Sequence, residues 1–389
     1  GAAGALEEEA PPAVTRPSIA IVAHNAYGPM AGSTSGHIGG VEWQTSLTAR
    51  WLAREGYPVS LVTWADGPPG DETLDGVRVI KVCRRDAGLP GLRFLHPRWT
   101  GLVSALGRAG ADVYYHNGAE EVTGQVGLWC RLKGRGFVFS SACDTDCERA
   151  LPSLDTRSRL LYRRGLRDAH ARIVQTDTQA RLLRESFGLD SIVIPMPCPG
   201  PTDAEFVPRT EPASGRVLWI ARVTRQKRPD RLLDVARLCP DVPFDLVGPS
   251  DGGEYASGVL EAARSVPNVT VHGPVPREQS RRFFREAAML LSTSDFEGFP
   301  NTFLEAWSVG LPIVSTFDPD TVIARHDLGF VAADTEDLAR SVRTLLESRQ
   351  TWADKSARAR RYYRETHAAE AVLPRFESVF REVGARRRD

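Results

Sequence analysis

Short apolar runs alternate with longer segments of helical periodicity from Pro17 onward. The short runs are rich in Val and Ile, which predicts strands, and the segments between them carry apolar residues every three or four positions, which predicts helices. The first predicted strands lie at 19–23, 59–64, 77–82, 112–115, 137–140, 173–175 and 192–194, with a helix at about 40–55. This alternation is typical of a parallel sheet covered by helices.

The same alternation restarts near residue 213. Predicted strands lie at 217–220, 244–247, 269–271, 289–291 and 312–315, and predicted helices at 229–238, 254–264, 278–286, 301–309 and 336–346. Between the two series, residues 195–212 contain six prolines. Neither a helix nor a central strand tolerates that density of proline, so a domain boundary is predicted here.

The predicted fold class is α/β, with two doubly wound Rossmann-like domains that face a central cleft. The expected division is a flexible leader at 1–16, a first domain at 17–197, a proline-rich linker at 198–212, a second domain at 213–350 and C-terminal helices at 351–389 that pack back on the first domain. In such sheets ligands bind outside the carboxyl ends of the strands.

Composition narrows the function. The 389 residues include 49 Lys and Arg against 49 Asp and Glu, so there is no net charge to attract nucleic acid. Six cysteines are spread through a long chain, which predicts reduced thiols rather than a disulfide framework. No apolar run approaches the roughly 20 residues of a membrane span, so we expect a cytoplasmic protein with at most peripheral membrane contact.

The most informative segment is SDFEGFPNTFLEA, which lies between a predicted strand and a predicted helix. Glu297 lies in the loop and Glu305 about two turns into the helix, so the two carboxylates reach different parts of one extended ligand. The backbone N–H groups of Asn301, Thr302 and Phe303 open the helix and form an anion site suited to phosphate. A loop acid followed by an ordinary exposed helix acid is the alternative interpretation.

A second segment, WIARVTRQKRPD, follows the first predicted strand of the second half. Arg222 and Lys227 lie beyond that strand, where two cations converge on a diphosphate, Arg as a bidentate fork and Lys as a point charge. A cluster of surface bases is the alternative interpretation. We expect Arg225 and Arg228 to be such surface charges.

These residues resemble family 4 of the retaining glycosyltransferases, whose architecture of two Rossmann-like domains is called GT-B. The resemblance covers almost the whole chain. It rests on the Glu-x7-Glu pair within EGFPNTFLEA, on Arg222 with Lys227, on the glycine loop GGVE at 39–42 and on DAHARIVQTDTQA before the linker. In that family the Arg and Lys neutralise the donor diphosphate, the first Glu contacts the donor sugar and the second Glu holds the nucleotide ribose.

The resemblance assigns these roles to Arg222, Lys227, Glu297 and Glu305. It also implies that the glycine loop lets the backbone approach the donor phosphates and the acceptor, because glycine lacks a Cβ. The predicted catalytic residues are Arg222, Lys227 and Glu297. The predicted substrate-binding residues are Gly39, Gly40, His116, Asp144, Phe299, Pro300, Asn301, Thr302 and Glu305.

The chain departs from the family at one place. Many relatives carry a histidine just after the fifth strand of the first domain, near the transferred sugar, whereas the segment here reads FVFSSACD. His116 and Asp144 are candidates to face the cleft instead, and His24 is a weaker one. A structural hydrogen-bonding role is the alternative for each, and whether Ser140, Ser141 or Asp144 replaces the histidine stays open.

No metal and no cofactor is expected. The sequences DTD at 144–146 and DPD at 318–320 match the metal-binding pair of a different glycosyltransferase fold, but three-residue matches are common. Arg222 and Lys227 already supply the positive charge that a metal would supply. Cys143 and Cys147 have no second ligand pair at zinc-like spacing, so a structural role is expected for them.

A predicted helix carries a cluster of five arginines. They are Arg157, Arg159, Arg163, Arg164 and Arg167. A solvated face is the ordinary interpretation of such a cluster. If the acceptor is a lipid-linked phosphate, the same face is suited to rest on an anionic membrane.

The expected function is transfer of a hexose-type sugar from a nucleoside diphosphate sugar, with UDP or GDP as the nucleotide, to an acceptor hydroxyl with retention of configuration. The second domain binds the donor, and the first binds a sugar, lipid-linked or small-molecule acceptor. The alternatives are a nucleotide-sugar epimerase or a glycogen-synthase-like enzyme on the same fold, and a non-catalytic nucleotide-sugar sensor. A nicotinamide dehydrogenase lacks support, because no Gly-x-Gly-x-x-Gly follows the first strand.

Overall fold

The computed structural model describes residues 16–32, 40–90 and 92–386, and the predicted alternation of strands and helices holds over these ranges. Most of the expected leader, together with Gly39 of the glycine loop, lies outside the described residues. The described strands form one eight-stranded sheet and one six-stranded sheet.

The first sheet has the strand order β3-β4-β2-β1-β5-β6-β7-β8. Its strands are β1 (Ile19–Val22), β2 (Val59–Thr63), β3 (Glu72–Leu74), β4 (Val77–Lys81), β5 (Val113–Asn117), β6 (Gly136–Ser140), β7 (Ala171–Val174) and β8 (Ile192–Val193). Its helices are α1 (Tyr27–Met30), α2 (Gly40–Arg54), α3 (Thr100–Ala109), α4 (Glu121–Lys133), α5 (Thr156–Asp168) and α6 (Asp177–Phe187). The winding direction reverses between β1 and β5, which makes their carboxyl ends a ligand-binding switch point.

The second sheet is entirely parallel, in the order β11-β10-β9-β12-β13-β14. Its strands are β9 (Val217–Ile220), β10 (Phe244–Val247), β11 (Val269–Gly273), β12 (Met289–Ser292), β13 (Ile313–Ser315) and β14 (Gly329–Val331). Its helices are α7 (Pro229–Leu238), α8 (Glu254–Arg264), α9 (Arg277–Glu286), α10 (Asn301–Ser308), α11 (Val322–His326) and α12 (Thr335–Glu347). Here the switch point lies between β9 and β12.

The two C-terminal helices pack on different sheets. Helix α13 (Arg349–Thr366) contributes buried Trp352 and Tyr363 to the core of the second sheet. Helix α14 (Ala369–Ala385) contributes Phe376 and Phe380 to the core of the first sheet. The chain therefore crosses back between the two bodies at the junction of α13 and α14.

The forward and return crossings lie side by side. The N–H of Cys198 in the linker donates to the carbonyl of His367 at 2.8 Å, and the Tyr363 hydroxyl donates to the Cys198 carbonyl at 2.7 Å. Pairing of the two crossings satisfies backbone groups that would otherwise be buried without partners. The two crossing segments, the linker around Cys198 and the junction of α13 and α14, therefore form one structural unit.

Two short strands were missed by the sequence analysis. Strand β3 pairs antiparallel with β4 through a two-residue turn in which Asp75 and Gly76 both have positive φ, 48° and 79°. Asp-Gly between apolar runs is a hairpin signal, so this strand was recognisable. Strand β14 has only three residues and no such signal.

All six cysteines lie within the described ranges as thiols outside any disulfide, as their spacing predicts. Over the described ranges, none of the helices combines the length and the apolar content needed to span a bilayer.

Candidate active site

A cavity of about 480 Å³ lies at the carboxyl ends of β9 and β12, the switch point of the second sheet. The loop after β9 contributes Arg222 and Lys227 to its lining, and the loop after β12 contributes Glu297. Asn301 and Thr302, at the start of α10, complete the wall. The structure thus brings together five residues that the sequence analysis assigned to one site.

Hydrogen bonds join the two loops. The Gln226 side-chain amide donates to the Phe296 carbonyl at 2.9 Å, and the Asp295 N–H donates to the Gln226 carbonyl at 3.0 Å. Beneath them, fully buried Thr293 donates through its hydroxyl to the Lys227 carbonyl at 2.9 Å. Because the loops are tied together, the cationic and acidic side chains hold a defined spacing.

Lys227 and Glu297 form an ion pair in the cavity. The side chains are 23% and 11% exposed, so solvent screens the pair only weakly. The Ser294 hydroxyl donates to the same carboxylate at 2.7 Å. A cation and a carboxylate held side by side suit a ligand whose phosphate adjoins a hydroxyl-bearing group.

Arg222 is exposed, and no other described residue forms an ion pair or hydrogen bond with its side chain. Arg225 is also exposed, and its guanidinium lies 4.7 Å from the Tyr255 ring, so Arg225 is a surface charge as predicted.

Arg228 was predicted to be a surface charge as well, and that prediction is wrong. It is half-buried with a positive φ of 50° and donates to Asp230 at 2.8 Å, so it is a structural ion-pair residue.

The predicted anion site at the start of α10 needs one correction. The Phe303 N–H donates to the Pro300 carbonyl at 3.1 Å, and the Phe303 side chain is buried. Only Asn301 and Thr302 of the three predicted residues line the cavity. Their N–H groups precede the first α-helical hydrogen bond and carry the positive end of the helix dipole.

The start of α2 approaches the same point from the first sheet. A methyl group placed on Gly40 would overlap the side-chain amide of Asn301, so a larger residue here would displace that side chain. One turn further, the Gln44 side-chain amide donates to the Asn301 Oδ1 at 3.1 Å. Two helix N-termini therefore converge at the cavity, and Gln44 is a contact that no sequence motif indicated.

Glu305 lies one turn after Asn301 and lines a second cavity, of about 690 Å³. Trp43 of α2 and Phe284 of α9 also line this cavity. Glu297 and Glu305 thus face different spaces on either side of the α10 N-terminus. This placement fits the predicted contact of the two acids with different parts of one extended ligand, which stays a prediction.

Phe299, in the loop of Glu297, packs against a buried aromatic cluster. Its ring centroid lies 5.2 Å from that of His367 and 6.2 Å from that of Trp307. His367 Nδ1 donates to the Met196 carbonyl at 2.9 Å, which leaves Nε2 to accept from the Tyr362 hydroxyl at 3.3 Å. The neutral imidazole thus connects the loop that carries Glu297 to the place where the chain crosses between the two sheets.

Acidification is expected to destabilise the protein through His367. Burial lowers the pKa of His367 from 6.5 to about 4, so the unfolded chain binds a proton more readily than the folded chain. The free energy of unfolding therefore falls as the pH drops through 6.5 and levels off near pH 4, and the loss from this residue reaches about 1.4 kcal/mol at pH 5.5. Urea unfolding at pH 8 and pH 5.5 measures the loss.

The matched variant is His367→Asn, whose side-chain amide still donates to the Met196 carbonyl but does not titrate. We expect the variant to lose less stability than the wild type between pH 8 and pH 5.5. An identical loss in the two proteins would contradict the assignment to His367.

The candidate histidines lie at the switch point of the first sheet. His116 is only 2% exposed and its Nδ1 donates to the Val22 carbonyl at 2.8 Å. Its buried Nε2 has no hydrogen-bond partner among the described residues, and the Glu120 carboxylate lies 4.0 Å from it. The His24 ring stacks on Trp64 at 4.1 Å. Burial, with His116, Arg98 and Arg85 nearby, lowers the pKa of His24 to about 3.

Asp144 and Ser141 share one partner, Gln179, whereas Ser140 has a different one. The Gln179 amide donates to Asp144 Oδ1 at 3.1 Å, and its Oε1 accepts from the buried Ser141 hydroxyl at 2.7 Å. Ser140 is buried as well, with its hydroxyl 3.5 Å from the Ser141 carbonyl. Of these three residues, Asp144 is the one with partial exposure towards solvent.

The other acids of the two Asp-x-Asp sequences have hydrogen-bond donors within the chain. Asp146 accepts from the Ala142 N–H at 2.7 Å, and burial raises the pKa of its carboxyl. Asp318 accepts from the Ile323 N–H at 2.7 Å, at the start of α11. Asp320 accepts from the Thr178 hydroxyl at 2.6 Å, across the cleft. These carboxylates therefore have structural roles.

Comparison with known families agrees with this geometry. Residues 39–199 match a protein-family model described as "Glycosyl transferase 4-like domain", and residues 214–348 match one described as "Glycosyl transferases group 1". A D-inositol 3-phosphate glycosyltransferase from Nocardiopsis dassonvillei is 29% identical over 321 residues, which is 72% of this chain and 74% of the relative.

Solved structures of distant proteins share the fold. Sucrose-phosphate synthase from Thermosynechococcus elongatus superposes with a TM-score of 0.77 at 18% identity, over 95% of this chain and all of the other. The Anabaena protein HepE superposes with a TM-score of 0.70 in its UDP complex and 0.68 in its UDP-glucose complex, at 16% and 15% identity, over 94% of this chain and all of HepE.

The predicted fold class is therefore confirmed, with two parallel-dominated α/β sheets arranged as in these structures. The two family matches lie on the two sheets and include both helices whose N-termini converge at the cavity. The chain belongs to the GT-B glycosyltransferases of the family 4 type.

Proposed function

We propose that this glycosyltransferase moves a hexose-type sugar from a nucleoside diphosphate sugar to an acceptor hydroxyl. The observation that carries the proposal is the convergence of Arg222, Lys227 and two helix N-termini on one cavity that also holds Glu297. Cations and backbone N–H groups aimed at one point stabilise the charge that develops on a departing diphosphate. Glu297 accepts hydrogen bonds from the hydroxyls of the transferred sugar.

The nucleoside is assigned to the second cavity. Glu305 accepts from the ribose hydroxyls there, and Trp43 offers an apolar surface near the base. UDP and GDP are the proposed nucleotides. The complexes of HepE with UDP and with UDP-glucose support a uridine donor.

The acceptor is assigned to the switch point of the first sheet. His24, His116 and Asn117 each have a buried nitrogen or oxygen with no hydrogen-bond partner among the described residues, and such atoms suit the hydroxyls of a sugar or other polyol. The relative named for D-inositol 3-phosphate supports a polyhydroxylated acceptor. A cytoplasmic location stays a prediction.

Transfer is proposed to retain the anomeric configuration. The leaving phosphate, held by Arg222 and Lys227, accepts the acceptor proton on the same face of the sugar. Inversion would need a general base on the opposite face. Of the candidates, Asp144 already accepts a hydrogen bond from the Gln179 amide.

Activity is expected to survive removal of divalent metal and to retain configuration. Arg222, Lys227 and the amides that open α10 face the diphosphate, so a bridging cation would be redundant and would meet repulsion. The measurement is turnover with and without EDTA, followed by proton NMR of the fresh product. Abolition of activity by EDTA, or an inverted linkage, would overturn the respective half of the proposal.

A thermal-shift panel of UDP, GDP, ADP and TDP identifies the donor nucleotide. A ligand present at a hundred times its dissociation constant stabilises the folded state by about 2.7 kcal/mol. The control is Arg222→Ala, which removes one diphosphate contact and is expected to reduce the shift. If no nucleotide stabilises the wild type, the cavity is not a nucleotide site and the proposal fails.

A further inference from the structure

Three leucines on the segment between β4 and α3 are strongly exposed. Leu89, Leu92 and Leu95 have 71%, 59% and 52% of their surfaces exposed. Isolated surface leucines are ordinary, but several within seven residues form a patch of the kind that marks an interaction surface. No other described part of the chain covers this patch.

Helix α5 extends the patch. The Arg157 guanidinium lies 4.2 Å from the Phe94 ring, which joins the helix to the leucine segment. Leu160 is 63% exposed, and Arg164 and Arg167 follow it on the same helix face. The exposed side chains of this face therefore continue the pattern of leucines among arginines.

The predicted arginine cluster of α5 is divided by the structure. Arg159 and Arg163 turn inward, where they donate to the Leu151 carbonyl at 3.3 Å and the Arg149 carbonyl at 3.1 Å. Of the outer arginines, Arg157 and Arg167 are exposed, and Arg164 donates to Asp168 at 3.0 Å while 49% of its side chain stays exposed. The prediction that all five form one solvated or membrane-facing surface is therefore wrong for Arg159 and Arg163.

The surface is strongly basic. Residues 84–98 contain four arginines and one aspartate, and α5 contains five arginines and one aspartate. The whole chain has no net charge, so the excess is local. Apolar side chains interspersed with cations are complementary to a layer of anionic head groups above acyl chains.

The surface borders the cleft on the side of the first sheet. Arg98, at the end of the leucine segment, lies 5.8 Å from the Trp64 ring, and Trp64 stacks on His24 at the end of β1. Any partner that contacts the three leucines would therefore lie near the switch point of the first sheet.

We propose that this surface, comprising Leu89, Leu92, Leu95, Arg157, Leu160, Arg164 and Arg167, docks on an anionic lipid leaflet. The leucines enter the head-group region and the arginines contact lipid phosphates. Docking goes beyond the proposed function and needs neither the donor nor the transfer step. If membrane docking and the proposed sugar transfer both hold, the enzyme acts on acceptors presented at the membrane surface.

The test is flotation of the full chain with vesicles of phosphatidylcholine alone or mixed with phosphatidylglycerol. We expect binding to the anionic vesicles only, weakened by salt. Each arginine removed is expected to lower the binding constant about fivefold, so Arg157→Gln with Arg167→Gln lowers it about 25-fold. Replacing the three leucines with serine is expected to lower it by at least about tenfold, since apolar insertion is lost.

The matched controls lie on the second sheet. Leu238→Ser removes a leucine that is 46% exposed, and Arg237→Gln removes an exposed arginine, both on α7. Neither control is expected to change flotation. Absence of wild-type binding to anionic vesicles, equal binding to neutral vesicles, or unchanged binding of both surface variants would overturn docking. Nucleotide thermal shifts in the surface variants report separately on the fold and on the proposed donor site.

Discussion

Replacing Arg222 or Lys227 with alanine is expected to lower kcat/KM for sugar transfer by roughly ten- to a hundredfold or more while the protein stays folded. Both side chains line the cavity at the carboxyl end of β9. Each charge-assisted contact with the diphosphate contributes about 1.5 to 3 kcal/mol, which sets the expected loss. Steady-state kinetics with the donor identified by the nucleotide panel measures it.

The two substitutions are expected to differ in their effect on stability. Arg222 has no hydrogen bond or ion pair within the described chain, so its removal leaves the free energy of unfolding unchanged. Lys227 is paired with Glu297 at low exposure, so its removal leaves a poorly solvated carboxylate and lowers stability. Urea unfolding separates this loss from the kinetic effect.

Arg225→Ala is the matched control, because Arg225 is an exposed arginine of the same loop whose guanidinium lies over Tyr255 instead of in the cavity. Its kcat/KM is expected to remain within about twofold of the wild type. Near-normal turnover of Arg222→Ala and Lys227→Ala would remove the diphosphate assignment. Equal losses in all three variants would point to a general effect of positive charge.

Replacing Gly248 with alanine is expected to lower the free energy of unfolding by about 4 kcal/mol. Gly248 follows β10 with a φ of 139°, a conformation that side chains rarely adopt. A methyl group there would overlap the carbonyl oxygen of Ala221, the residue before Arg222. A backbone atom has no rotamer by which to escape, so the loop after β9 must shift.

Gly258→Ala provides the control for this prediction. Gly258 lies inside α8 with no atom near the position of an added methyl group, so alanine is expected to raise stability by about 0.5 to 1 kcal/mol. Urea unfolding of both variants tests the pair. A Gly248→Ala protein as stable as the wild type would show that the close approach to Ala221 is not a constraint.

Strand and helix positions follow from local patterns. Alternation of apolar runs with helical periodicity predicted the parallel strands β9 and β10 with their observed bounds. The same holds for α7 and α8, whose apolar faces recur at helical spacing. Short edge strands such as β14 carry too few residues for such a pattern.

The grouping of the candidate site residues was predictable where a motif determines residue type and spacing. Arg222, Lys227 and Glu297 line one cavity because the loops after β9 and β12 emerge side by side at a switch point. The topology of a doubly wound sheet dictates that arrangement, and the sequence pattern indicates the topology.

Contacts between distant segments were decided only by the tertiary structure. Gln44 and Asn301 are 257 residues apart and meet because two helix N-termini approach across the cleft. Asp320 and Thr178, 142 residues apart, meet in the same way.

The sequence by itself determined the two-sheet α/β architecture and the residue types at the cavity beside β9 and β12, because periodicity and motif spacing are local properties of the chain. The tertiary structure decided which chemically similar residues are accessible to a ligand and which support the fold: Arg157 faces outward while Arg159 bonds to the backbone, and Arg222 faces the cavity while Arg228 pairs with Asp230. Burial and partners depend on the packing of whole elements, and local sequence does not encode that packing.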